Sequence, residues 1–136
     1  MSKNDTETIS RLLDQLIFNK DGLIPAIAQQ FDSGEVLMLA WMSPESIEAT
    51  LVEERVVYWS RSRRKLWRKG ETSGHVQTLM EFRWDCDSDT ILLQVDQSGV
   101  ACHTGSRNCF FNSIQDGNIT NNSRVDVDPE SLSSRL

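Results

Sequence analysis

No stretch of this 136-residue chain is apolar for long enough to cross a bilayer. The opening residues, MSKNDTETIS, lack the apolar core of a secretory leader, so the sequence predicts a protein that stays in the cytoplasm, away from membranes. A positive balance is missing too. The net charge is −6, from 14 Lys and Arg against 20 Asp and Glu, which argues against nucleic-acid binding driven by counterion release. Cysteine is scarce and odd in number: three in a reducing compartment make a poor disulfide framework. The CxxC…CxxC of a zinc ribbon, the GxxxxGK[ST] of a phosphate-binding loop and the HxE…PCxxC of zinc-dependent deaminases are all absent, and no internal repeat is evident.

What is present suits one globular domain, with 38% hydrophobic and 25% charged residues. Ile9, Leu12, Leu13, Leu16 and Ile17 recur at helical spacing, predicting a helix over 6–18 with Asp5 as its N-cap. Extended runs at 25–31 and 35–41 flank Asp32-Ser33-Gly34 and read as a β-hairpin. Ser43-Pro44-Glu45 opens a second helix, with a capping serine, proline at the first helical position and an acidic first turn. Ile47, Thr50 and Leu51 would face the core, and the helix should stop near Arg55. Further strands are expected at 56–60, 79–85 and 91–96, the last two joined by a tight acidic turn at 86–89, with a functional loop over 61–74 and a last segment over 100–114. The expected fold is α+β, a mainly antiparallel sheet with two short helices, in one domain over 1–114. Residues 115–136, rich in Asn, Ser and Asp, read as a flexible tail.

Three groups of residues can do chemistry. Six basic residues fall between Arg61 and Lys69, a local cationic site that suits a compact anionic ligand. Within Trp67-Arg68-Lys69-Gly70-Glu71-Thr72-Ser73-Gly74-His75, glycine allows close backbone approach, and Lys69, Thr72 and Ser73 offer donors to phosphate oxygens. In Asp85-Cys86-Asp87-Ser88-Asp89, an extended backbone would point three carboxylates one way, suiting magnesium, and the thiol the other way, suiting zinc; a solvated acidic turn explains the aspartates equally. Cys102 and Cys109 bring the thiols to three. Three thiolates with one open position fit catalytic zinc, whereas His103 as a fourth ligand would give a closed structural site. Neighbouring residues rarely bind one metal, so His103 also suits proton transfer, with His75 as a second carrier.

Taken together these segments resemble the phosphoribosyl-AMP cyclohydrolases. The resemblance is carried by Tyr58-Trp59-Ser60-Arg61-Ser62-Arg63, Leu66-Trp67, Gly74-His75-Val76-Gln77, Asp85-Cys86-Asp87-Ser88-Asp89, Cys102-His103-Thr104-Gly105 and Arg107-Asn108-Cys109-Phe110, in that order, from about residue 22 to 114. It implies zinc on Cys86, Cys102 and Cys109, one ion per subunit, and magnesium on Asp85, Asp87 and Asp89. It also implies an intertwined homodimer whose zinc site draws cysteines from both subunits, in the stand-alone form without a fused pyrophosphohydrolase domain. The implied reaction is hydrolysis of the N1–C6 bond of phosphoribosyl-AMP, a step of histidine biosynthesis. Arg61, Arg63, Trp67, Lys69, Gly70, Thr72 and Ser73 become candidate substrate-binding residues.

Overall fold

A computed structural model describes residues 4–123 and 125–129. Its elements are α1 (Thr6–Gln15), β1 (Ile24–Gln30), β2 (Val36–Met42), α2 (Pro44–Glu53), β3 (Val57–Ser60), β4 (Lys65–Arg68), β5 (Gln77–Trp84), β6 (Ile91–Gln97), β7 (Asn112–Gln115) and β8 (Asn118–Asn121). Six strands form one sheet in the order β4-β3-β2-β1-β6-β5, and β7 and β8 pair separately. All neighbours run antiparallel except β1 and β6, which are parallel. The expected α+β class with a mainly antiparallel sheet is therefore what the chain adopts. No helix among the described residues is long and apolar enough to cross a membrane.

The core follows from the period of two along the central strands. Ala26 and Ala28 of β1 stand opposite Ile91 and Leu93 of β6, and these four with Ile24 of β1 are all fully buried. Helix α1 adds Ile9 and Leu12 to this cluster, the residue after it adds Leu16, and α2 adds Ile47 and Leu51. Helix α2 is set by its N-terminus: Ser43 Oγ accepts the Ser46 amide at 3.2 Å, Ser46 Oγ accepts the Ser43 amide at 2.8 Å, and Pro44 starts the first turn. Glu54 closes it in the left-handed region at φ 58°.

The structure corrects three of the sequence expectations. Helix α1 begins as expected, with Asp5 Oδ1 accepting the Thr8 amide at 2.8 Å, but it ends at Gln15 rather than residue 18. The Ile17 amide instead donates to Ser88 O at 2.8 Å, which draws the chain out of the helix and leaves the Ile17 side chain exposed. The segment 61–74 is not all loop. Arg64, at φ 55°, returns the chain by donating its amide to Ser60 O, and β4 then pairs with β3. The acidic turn expected at 86–89 forms between β5 and β6, with Ser88 at φ 64°. Finally, the boundary expected at 114 falls inside β7, and the β7–β8 hairpin occupies part of the segment read as a tail. Beyond it, Val125 bridges Ser106, and the Asp126 amide donates to Gly105 O at 2.9 Å. Residues 124 and 130–136 of that segment lie outside the described residues.

Candidate active site

Two of the three cysteines meet in a tight loop after β6. The amides of Ala101 and Cys102 donate to Arg107 O and Ser106 O at 3.0 and 3.2 Å, folding residues 101–107 back on themselves. The Cys109 amide then donates to Leu37 O of β2 at 2.8 Å. This brings the Cys109 thiol within hydrogen-bonding reach of Cys102, whose Sγ also accepts from Thr104 Oγ1 at 3.0 Å. Burial, and then the neighbouring Cys102, push the Cys109 thiol up to about 12, so at neutral pH it stays protonated unless a cation takes the proton's place.

Around these thiols lies a cavity of ≈ 140 Å³, lined by Trp67, Lys69, Gly70, Ser73 and His103 as well as the two cysteines, and floored by Met38, Leu39 and Ala40 of β2. Lys69 is buried, and its Nζ donates to Ala101 O at 2.6 Å. Burial lowers its pKa, opposed by the two cysteines. Trp67 packs against Tyr58 with ring centroids 5.5 Å apart, and its buried Nε1 has no hydrogen-bond partner among the described residues. Gly70 is at φ 76°, where an added Cβ would overlap the backbone of His75 and Val76. Gly70→Ala is expected to cost about 2–3 kcal/mol of stability, since strain and overlap fall on backbone that has nowhere to go. Urea unfolding measures this, and an unchanged midpoint would show that the loop yields.

A second groove, of ≈ 520 Å³, opens beside the cavity and shares Leu39, Ala40 and Trp67 with it. Trp41, Trp59, Ser60, Arg61 and Ser62 complete its lining, and the Arg61 guanidinium sits 5.0 Å from the Trp41 ring centroid. Arg63 and Thr72 are exposed and line neither space. His75 is also outside the cavity lining. Its Nδ1 accepts the Val100 amide at 2.9 Å, which leaves the neutral ring's proton on Nε2.

Cys86 stands apart, exposed in the β5–β6 turn. Among the described residues, the candidate metal ligands that gather in a group of three are Asp85, Asp87 and Asp89, with ligand atoms within 4.8 Å of one another. The turn, not strand alternation, gathers them. Asp85 Oδ1 accepts the Asp89 and Thr90 amides at 3.0 and 3.2 Å; desolvation raises its pKa, but these bonds together with side-chain bonds to Asp87 and Asp89 outweigh it and hold the carboxyl below its usual value. Asp87 is raised by hydrogen bonds with Asp89 and Asp85 and by repulsion from both. The donor sets suit their expected ions in kind, oxygens for magnesium and thiols for zinc, but one chain offers the zinc only two converging thiols.

Sequence reasoning missed what holds the cysteine loop. Arg107 donates from Nη1 to Gly99 O at 2.6 Å and to Gln97 O at 3.1 Å, from Nη2 to Gln30 Oε1 at 3.0 Å, and pairs with Glu35 at 3.3 Å. Asn108 Nδ2 reaches the other Glu35 oxygen at 2.9 Å. Buried Gln97 extends the network, donating to Ser98 O at 2.8 Å and accepting from Gln77, which in turn accepts from Tyr58 Oη at 2.7 Å.

An α+β domain that holds close thiols, an imidazole and a buried ammonium around one small cavity has the layout of an enzyme for a small molecule. Comparison with known proteins supplies the particular family. Residues 38–111 match the profile of phosphoribosyl-AMP cyclohydrolase, the segment that contains the cavity and all three cysteines. The phosphoribosyl-AMP cyclohydrolase of Rhodospirillum centenum is 60% identical over 127 residues, covering 93% of this chain and 96% of that protein. That of Halorhodospira halophila is 59% identical over 123 residues, covering 90% and 87%. A Pseudomonas fluorescens protein named phosphoribosyl-AMP cyclohydrolase 2 is 61% identical over 111 residues, covering 82% and 76%. The chain belongs to the phosphoribosyl-AMP cyclohydrolase family, a family of hydrolases of histidine biosynthesis.

Proposed function

We propose that this chain hydrolyses the N1–C6 bond of the adenine ring of 1-(5-phosphoribosyl)-AMP, giving the phosphoribosylformimino-aminoimidazole-carboxamide ribotide of histidine biosynthesis in the cytoplasm. The observation that carries this reading is the convergence of Cys102, Cys109 and His103 on one cavity in a chain of this family. Cys102 and Cys109 would hold zinc together with Cys86 of a second copy in an intertwined homodimer, since Cys86 does not join them within one chain. Zinc held there would lower the pKa of water and so favour hydroxide at neutral pH.

The chain's own residues bind the substrate and move protons. N1 phosphoribosylation leaves C6 electron-poor, and attack there makes a tetrahedral carbon whose N1 bond then breaks. One proton leaves the attacking water and one reaches N1. His103 is the first candidate for that transfer, a reading supported by its position in the cavity lining, from which His75 is absent. At ≈ 140 Å³ the cavity is smaller than the roughly 300–1,000 Å³ of ordinary ligand pockets, so it suits the base and leaves the phosphoribosyl arms outside. The adjoining groove offers Trp67 and Trp59 as ring surfaces and Arg61 as a phosphate donor, with Gly70 and Ser73 at the cavity wall. Magnesium on Asp85, Asp87 and Asp89 would neutralise the clustered carboxylates and help hold a phosphoribosyl end.

The test is ultraviolet absorbance of phosphoribosyl-AMP mixed with the purified protein, with and without zinc chelator. Ring opening that chelator stops is the expected result. An unchanged spectrum with folded, zinc-loaded protein would defeat the hydrolase reading.

A further inference from the structure

Lys69 is a buried cation, 9% exposed, that takes part in none of the ion pairs among the described residues. Its Nζ has a carbonyl, Ala101 O at 2.6 Å, and an aromatic face, Trp67 with its centroid at 5.2 Å. Neither carries a full negative charge, and burying an ammonium is costly without one. The ionisable groups that face it are Cys102 and Cys109. The side chain is therefore turned inward to the thiols, and gripping a substrate phosphate would require Nζ to leave Ala101 O.

We propose that Lys69 is a positioning residue of the metal centre, whose ammonium offsets the charge of the Cys102 and Cys109 thiolates while its bond to Ala101 fixes the backbone immediately before Cys102. The inference rests on the zinc reading above. Zinc with three thiolates carries a net negative charge, and a buried anion of that kind is stabilised by a fixed cation beside it. Lys69 supplies that cation from β4's end, and the Ala101 contact ties the charge to the same loop that carries both cysteines.

The experiment is zinc affinity of the full-length chain, by competition with a chromophoric chelator, for wild type, Lys69→Met, Lys69→Gln and Lys69→Arg. Gln keeps a donor for Ala101 without the charge, and Arg keeps the charge. Met and Gln are each expected to weaken zinc about 10–100-fold, the usual effect of losing a supporting partner around a metal ligand, with Arg restoring most of it. Cobalt-loaded protein should show a weakened thiolate-to-metal absorption in the same two variants and a near-normal band in Arg. Equal losses in Gln and Arg would overturn the charge argument and reduce Lys69 to a shape requirement, even if Met failed to fold. Unchanged zinc affinity in Met and Gln, with a raised KM for phosphoribosyl-AMP, would overturn it in favour of phosphate binding. Wild type that binds no zinc at all would bring down the zinc reading as well, so the two failures are told apart.

Discussion

Cys102→Ala is expected to abolish zinc binding and ring opening together. Cys102 is the buried member of the converging pair, its sulfur oriented by the Thr104 hydroxyl at 3.0 Å. Without it Cys109 is alone, and burial already holds that thiol far up the scale, at about 12, so it makes a poor ligand by itself. The metal's contribution to such a hydrolysis is several kcal/mol, and its loss should lower turnover about a thousandfold or more. Metal analysis of the desalted protein and the absorbance assay read the two effects side by side. Activity retained at a tenth of wild type or better would remove zinc from the mechanism.

The second large effect separates proton transfer from metal binding. His103→Ala should keep the zinc and still lose turnover by about 10²–10⁴, the usual span for a missing acid or base. The argument is positional: His103 follows Cys102 directly and lines the cavity, which His75 does not. Zinc content equal to wild type with near-normal turnover would clear His103 of that role. Loss of zinc along with activity would instead favour His103 as a fourth ligand in a closed structural site.

Much of this layout was legible in the chain because the signals are local. Ser43-Pro44 announces α2 by cap chemistry alone, and the Asp32-Ser33-Gly34 link announces the β1–β2 hairpin, since neither depends on anything distant. Cys102 and Cys109 share one loop, so their spacing places them together. The acidic turn at 86–89 was legible too, and the turn itself, not the alternation of an extended segment, gathers the three aspartates. The misses are tertiary. The end of α1 is decided by Ser88, far along the chain, and β4 was hidden because its basic residues resemble a solvated loop until Arg64 turns them back onto β3. Arg107 reaches Gln30 and Glu35 across more than seventy positions, a relation no local pattern encodes. Lys69 reads as a surface phosphate donor in sequence, and only the packing reveals it pointed at the thiols.

The one parallel pairing in the sheet has a bearing on how the molecule comes into being. Because β6 lies between β1 and β5, the centre of the sheet is closed by a late segment of the chain. A nascent polypeptide that has emerged only as far as the β5 region leaves one side of β1 as a bare template of unpaired amides and carbonyls. That long-range closure carries a large loop-entropy cost and is intrinsically slow. The cysteine loop, which follows β6 directly, is fastened to β1 and β2 through Arg107 and Cys109 only after this step. The two converging thiols are thus brought together late in synthesis, when the strands of the hydrophobic interior have already paired.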